Sequence, residues 1–296
     1  MTGGERRAFL LYRLLSRFAE VIPLRAVEFI ARAAGRLGPL ANPAKANLVR
    51  NNLRRVMDVE PDDADVRAAY ASYVRYWLQA FRLPVVPRDH LERVVSVEGL
   101  EYITQALDAG KGVVFAVPHV GNWDAIGAWL AARGVPLLVV AERLRPAELH
   151  QWFEDFRSSL GMTVVVNGPG VAGRLSRALR DNQAIALLCD RDVDGTGGSY
   201  EFFGEKTTLP RGPALLALRT GATLLPVACY ETADGFLAHV DSPVEVQRTT
   251  GPLQDDLDRI TQDLMGRIEQ LIRRQPTQWH LFQPNWPSDR VATADK

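Results

Sequence analysis

GVVFAVPHVGNWDAIGAWLAA, residues 112–132, contains the change of rhythm that decides the fold. Residues 112–117 are small or apolar without interruption, the pattern of a strand buried on both faces. Pro118 ends that run, small and polar residues follow, and a helical pattern begins near Asp124. A strand that turns sharply into a helix is the unit of an α/β layer structure, and ligand sites concentrate at the carboxyl ends of such strands. The rhythm recurs outward from this stretch. Strands are expected at 136–140, 163–166, 184–188, 223–229 and 237–240. Helices are expected near 99–109, 124–133, 146–160, 171–181, 212–220 and 253–274. The chain therefore reads as α/β, with a central, mostly parallel sheet flanked by helices.

Upstream the pattern is purely helical. Residues 5–35 and 62–82 have helical spacing, the second starting at the acidic stretch Glu60-Pro61-Asp62-Asp63, where acids complement a helix N-terminus. Pro84 and Pro87 mark the seam between this front and the α/β part. With no internal repeat and no low-complexity linker, one domain spanning 1–296 is expected. Residues 1–85 form its helical subregion and 90–290 its catalytic core.

Composition narrows the function. The 296 residues carry 35 Lys+Arg against 35 Asp+Glu, and 47% are hydrophobic. That balance excludes a disordered chain, and it counts against a nucleic-acid binder, which needs surplus cations for phosphates. The neutrality is uneven, because residues 1–60 hold ten Arg and Lys45 against five acids, a net of +6. Phe9, Leu10, Tyr12, Leu14, Leu15 and Phe18 fall on helical spacing with Arg6, Arg7, Arg13 and Arg17 between them. Such a helix suits an anionic membrane surface, and it equally suits a cover for the core. The charged residues leave no apolar run near the roughly 20 residues of a spanning helix, and no secretory leader pattern. Cys189 and Cys229 sit in apolar runs and read as buried free thiols.

The chemistry is expected just after residue 117. His119 and Asp124 lie five apart across a turn containing Gly121, so an imidazole held by a carboxylate, a general base, is one reading. Simple capping of the following helix by Asn122 or Asp124 is the other. Lys206 and Arg211 in FFGEKTTLPRG (202–212) precede a helix and could hold phosphates there; a solvated surface loop is the alternative. Asp190, Arg191, Asp192 and Asp194 lack the calcium-loop pattern, and no metal is expected. There is no G-x-S-x-G elbow for a serine nucleophile. The six tryptophans and His280 read as packing residues.

HVGNWD resembles the H-x4-D motif of glycerolipid and lysophospholipid acyltransferases, and its Gly-Asn-Trp filling resembles the branch that acylates lipid A and phosphatidylinositol mannosides. The likeness continues through 141–162, CDRDVDGTGGSYEFFGEKTTLPRGPALLALRTGATLLPV (189–227) and WHLFQPNW (279–286). It looks most like the actinobacterial phosphatidylinositol mannoside acyltransferases, peripheral proteins of the inner membrane face. That resemblance implies transfer of a long acyl chain from acyl-CoA, palmitoyl-CoA in particular, to a mannose 6-hydroxyl of mannosylated phosphatidylinositol. No resident cofactor is implied. It assigns His119 as general base, Asp124 as its orienting partner, and Glu142 and Arg157 to the acceptor cleft. Asp190 falls where mycobacterial relatives carry a glutamate that contacts the acceptor sugar, and Val120 replaces a common serine. A lipid A type secondary acyltransferase, a hydrolase of acyl-CoA or lipid esters, and a non-catalytic lipid-binding protein are the competing expectations.

Overall fold

The computed structural model describes residues 3–289, with side chains from Phe9 onward. The front consists of α1 (Gly3–Val21), α2 (Leu24–Ala41), α3 (Pro43–Val56) and α4 (Asp63–Arg82). The continuous helix expected at 5–35 is broken at Pro23, which stands in extended conformation as the N-cap of α2. α3 is an addition to the sequence reading. Asn42 caps it by accepting the Lys45 N–H, and Pro43 occupies its first turn. At α4 the acidic start is a reciprocal capping box between Asp62 and Asp65. α2 lies close on α4 because a side chain at Gly35 would stand 2.5 Å from the Arg67 carbonyl oxygen. Arg6 and Arg7, part of the basic face expected for the first helix, have side chains outside the described residues.

The core carries α5 (Arg88–Val94), α6 (Leu100–Asp108), α7 (Trp123–Ala132), α8 (Ala147–Ser159), α9 (Val171–Arg180), α10 (Gly212–Thr220) and α11 (Leu253–Arg274). Its strands are β1 (Val95–Glu98), β2 (Val113–Val117), β3 (Leu137–Ala141), β4 (Thr163–Val166), β5 (Ala184–Leu188), β6 (Gly198–Phe202), β7 (Glu205–Leu209), β8 (Thr223–Glu231) and β9 (Phe236–Val240). Seven of them form one sheet in the order β1-β9-β8-β2-β5-β3-β4. Pairing is parallel except between β8 and β9. β6 and β7 make a separate antiparallel hairpin. Its tight turn, at Phe203 and Gly204, has positive φ at both residues.

β2 shows why the sheet is covered on both faces. Successive side chains of a strand point to opposite sides. Val114 and Ala116 enter a cluster with α9, α10 and α11, including Leu179, Leu216, Ile260, Leu264 and Ile268. Val113, Phe115 and Val117 enter another with α4, α6, α7 and α8, including Tyr76, Ile103, Ile126, Trp129 and Phe153. Each of the five β2 residues is buried. Among the described residues no helix is long and apolar enough to cross a membrane.

Candidate active site

β2 and β5 are parallel neighbours with Val117 opposite Leu188. Two steps further along each strand, the same register sets His119 beside Asp190. Asp190 is wholly buried and lies 2.6 Å, through Oδ1, from His119 Nδ1. Its other oxygen accepts the His119 backbone N–H at 3.1 Å and the Trp279 indole N–H at 2.8 Å. Burial alone would raise the carboxyl's pKa. The charge of His119 and the hydrogen bonds from His119 and Trp279 outweigh it and hold the value at about 2. An ionised carboxylate only accepts, so Nδ1 carries the hydrogen and Nε2 is the basic nitrogen. Nε2 has no hydrogen-bond partner among the described residues, and His119 lines a large cavity.

The turn after His119 is fixed from two sides. Gly121, at φ 57°, donates its N–H to the Gln278 carbonyl at 3.0 Å, and the Asn122 N–H reaches the Cys229 carbonyl at 2.8 Å. A Cβ at Gly121 would collide with the Cys229 carbonyl oxygen, so the close approach of β8 requires glycine there. His280 N–H bonds the His119 carbonyl at 2.8 Å. Asn122 is the residue that caps α7, accepting the Ala125 N–H at 3.1 Å.

Asp124 is placed differently from the expectation of an imidazole partner. It lies in the first turn of α7, whose direction turns its carboxylate away from the β5 side and toward α4 and α8. There it accepts from Tyr76 Oη at 2.8 Å and Arg157 Nε at 3.0 Å, and no hydrogen bond joins it to His119. Burial opposes the charge of Arg157, but the Asp124 carboxylate and Tyr76 outweigh it and keep the guanidinium's pKa above its ordinary value. Burial and the neighbouring Asp124 charge push the Tyr76 phenol well up. Asp190, rather than Asp124, is thus the carboxylate in contact with His119.

The cavity has a volume of about 890 Å³. That is within the usual range for a small-molecule site. One part is apolar, running between the sheet and α6, α7 and α8 past Ile103, Phe115, Ile126, Leu130, Leu137 and Met162. The other is polar, with Glu142, Arg157, Arg191, Asp192 and Arg211. Glu142 pairs with Arg191 at 2.8 Å. Arg211 lines the cavity while held by Tyr200 Oη at 2.8 Å and Asp258 at 3.2 Å. Lys206, expected beside it as a phosphate ligand, is instead exposed on β7 and does not line the cavity, because its side chain falls on the outward face of the hairpin.

The acidic run after β5 is used locally. Asp192 accepts from the N–H groups of Gly195 and Gly197 at 3.0 and 2.9 Å, and Asp194 bonds Asn167. Burial raises the pKa of both cysteine thiols, that of Cys229 to about 12. Neither suits a nucleophile. Trp279 and Trp286 are core residues, whereas Trp77 and Trp123 line the cavity, Trp123 with its ring edge-on to His119 at 5.3 Å. The sequence reading missed Tyr76 and Trp279 as contacts of the site's carboxylates. Trp279 stands inside the WHLFQPNW segment, whereas Tyr76 carried no signal beyond its place on the helix expected at 62–82.

A family model described as bacterial lipid A biosynthesis acyltransferase matches residues 6–288. A phosphatidylinositol mannoside acyltransferase of Mycolicibacterium smegmatis is 40% identical over 272 residues, covering 88% of this chain and 86% of its own. The protein of the same name from Mycobacterium tuberculosis is 41% identical over 249 residues, covering 81% and 77%. A lipid A biosynthesis acyltransferase of Haemophilus influenzae is 25% identical over 194 residues, covering 65% and 59%. A match over nearly the whole chain, with the motif histidine lining the cavity, makes this chain an O-acyltransferase of the bacterial lipid A biosynthesis acyltransferase family.

Proposed function

We propose that the chain transfers a long acyl group from acyl-CoA to the mannose 6-hydroxyl of a phosphatidylinositol mannoside, at the cytoplasmic face of the plasma membrane. The observation that carries this reading is the His119–Asp190 pair, whose histidine lines a cavity that has both apolar and polar walls. The apolar part suits the acyl chain, and the polar part suits a sugar. The named activity of the mycobacterial relatives supports the acceptor class.

In this mechanism His119 Nε2 takes the proton of the sugar hydroxyl as its oxygen attacks the thioester carbonyl. Asp190 keeps the ring in the Nδ1–H tautomer and stabilises the imidazolium that forms. When the tetrahedral adduct collapses, the C–S bond breaks and the thiolate leaves, taking the proton back from His119. Asp124 acts at one remove, holding Arg157 and Tyr76 at the cavity wall.

Membrane contact is assigned to α1 and α2. Leu14, Val21, Leu24, Phe29, Leu37 and Leu40 are each more than 60% exposed there. Arg13, Arg17, Arg25 and Arg36 are exposed on the same two helices. Apolar side chains beside arginines fit an anionic lipid surface.

The test is a mass-spectrometric assay with palmitoyl-CoA and mannosylated phosphatidylinositol, run beside His119→Ala. A product heavier by one acyl group, lost in the variant, supports the reading. Free fatty acid without acylated sugar replaces it with hydrolysis.

A further inference from the structure

His280 is 8% exposed and lines the same cavity as His119. Its backbone N–H bonds the His119 carbonyl, so the two imidazoles rise from adjacent, hydrogen-bonded segments. The ring sits against Tyr76 and Trp123, with centroids 5.3 and 5.9 Å away. One ring nitrogen, Nε2, lies 3.0 Å from Ser72 Oγ, and the other, Nδ1, is buried with no hydrogen-bond partner. The mechanism above makes no use of it.

The hydroxyl decides the tautomer. Ser72 is buried on α4, and His280 is its side chain's hydrogen-bond partner among the described residues. If Nε2–H donated to Oγ, both the serine hydrogen and Nδ1 would be stranded in the interior. If Ser72 donates to Nε2, only Nδ1 is left, and it then carries the hydrogen. The ring is neutral for the same reason, because burial and the neighbouring His119 hold its pKa down at about 3. A neutral N–H donor, fixed by a serine, thus stands in the cavity wall beside the base.

We propose that His280 Nδ1–H donates a hydrogen bond to the thioester carbonyl oxygen as it becomes an oxyanion, making His280 a catalytic residue of acyl transfer. The inference rests on the reading of the substrate as an acyl thioester. As the sugar oxygen bonds to the carbonyl carbon, the carbonyl π pair moves onto oxygen, where the Nδ1–H meets it. When the carbonyl re-forms, the C–S pair leaves with sulfur and the hydrogen bond relaxes. The ring keeps its proton throughout and returns unchanged. Preorganised donors of this kind act on the developing charge and so raise kcat rather than affinity. Catalytic hydrogen bonds commonly close only when substrate fills the site.

Two replacements of opposite geometry test this. An asparagine amide reaches the position of Nδ1 but not Ser72, and a glutamine amide reaches Ser72 but not the Nδ1 position. We expect His280→Asn to stay within about tenfold of the parent in kcat for thiol release from palmitoyl-CoA with mannosylated phosphatidylinositol. His280→Gln should lose about 10²–10³-fold in kcat with little change in KM. A ring that only packs through Ser72 gives the reverse order, and that result, or equal rates, overturns the inference. Parent protein that releases no thiol overturns the thioester reading and the inference with it. Independently of activity, the imidazole 15N spectrum should show His280 as the Nδ1–H tautomer from about pH 5 to 8. An Nε2–H tautomer overturns the proposal by itself.

Discussion

The carboxylate of Asp124 and the guanidinium of Arg157 meet at 3.0 Å in the cavity wall, so the aspartate of the H-x4-D motif is engaged by an arginine rather than by the motif's own histidine. Asp190, from the neighbouring strand, occupies the histidine. The two aspartates therefore fail in different ways when neutralised.

Asp190→Asn is expected to preserve the shape of the site and to lower kcat by roughly 10³–10⁴, because the amide no longer enforces the Nδ1–H tautomer or stabilises the imidazolium. Asp190→Glu, one methylene longer, should recover part of the rate. Steady-state kinetics of the two variants check this, and an Asp190→Asn enzyme with parental kcat would contradict the assignment.

Asp124→Ala leaves the half-buried Arg157 without its charge partner, which costs at most about 3–5 kcal/mol. The expected outcome is a lower urea midpoint, with the pH dependence of the residual rate unchanged. The double variant Asp124→Ala/Arg157→Met should recover much of the stability without recovering acceptor binding. Denaturant curves beside rate profiles separate the two effects.

Stability should fall on mild acidification. His280 titrates at about 3 in the folded chain, against an ordinary imidazole value of 6.5. Between these values the unfolded chain binds a proton that the folded chain refuses, so folding stability rises with pH across that window. The contribution is complete above the unfolded value and is lost progressively as pH falls toward the folded one. From pH 6.5 to about 5 the share lost through His280 is about 2 kcal/mol, at 1.36 kcal/mol per unit, and Glu231, whose carboxyl burial raises to about 6, offsets part of it. Urea unfolding at those two pH values should show it as the difference between the parent and His280→Asn, whose stability loses less on acidification.

Replacing Leu14 or Phe29 by Ser removes side chains that are 68% and 74% exposed, so the fold should be unaffected. Partition onto vesicles containing anionic lipid should weaken by roughly tenfold or more per residue, given about 1.5–3 kcal/mol for a fully buried side chain of this size. Sedimentation with vesicles at low and high salt measures it. Equal binding by the variants would place the contact elsewhere on the chain.

The strands proposed from 112–117, 136–140, 163–166, 184–188, 223–229 and 237–240 all form, within a residue or two of those bounds. Each contains at least three consecutive apolar residues, which declare themselves in any short window. β1 and the β6–β7 hairpin were illegible for the opposite reason. Their buried residues alternate with exposed Ser, Glu, Lys and Thr, and they are only four or five residues long. His119 was legible because it follows directly on a strand. Its partner was not, since the pairing of His119 with Asp190 depends on the register of two strands about 70 residues apart. No spacing rule within one motif contains that information. The fate of Asp124 likewise turns on α4 and α8, whose positions only packing determines.

The groups that steady Asp190 come from a segment made after every strand of the sheet. Trp279 holds its carboxylate and Asn285 holds its backbone carbonyl at 3.2 Å. On the ribosome, Asp190 emerges roughly 90 residues before either of these donors, and His119 roughly 160. A nascent chain thus carries His119 early but completes the setting of that histidine last. Premature termination between Asp190 and Trp279 would yield a chain with the motif intact and that carboxylate without its indole donor.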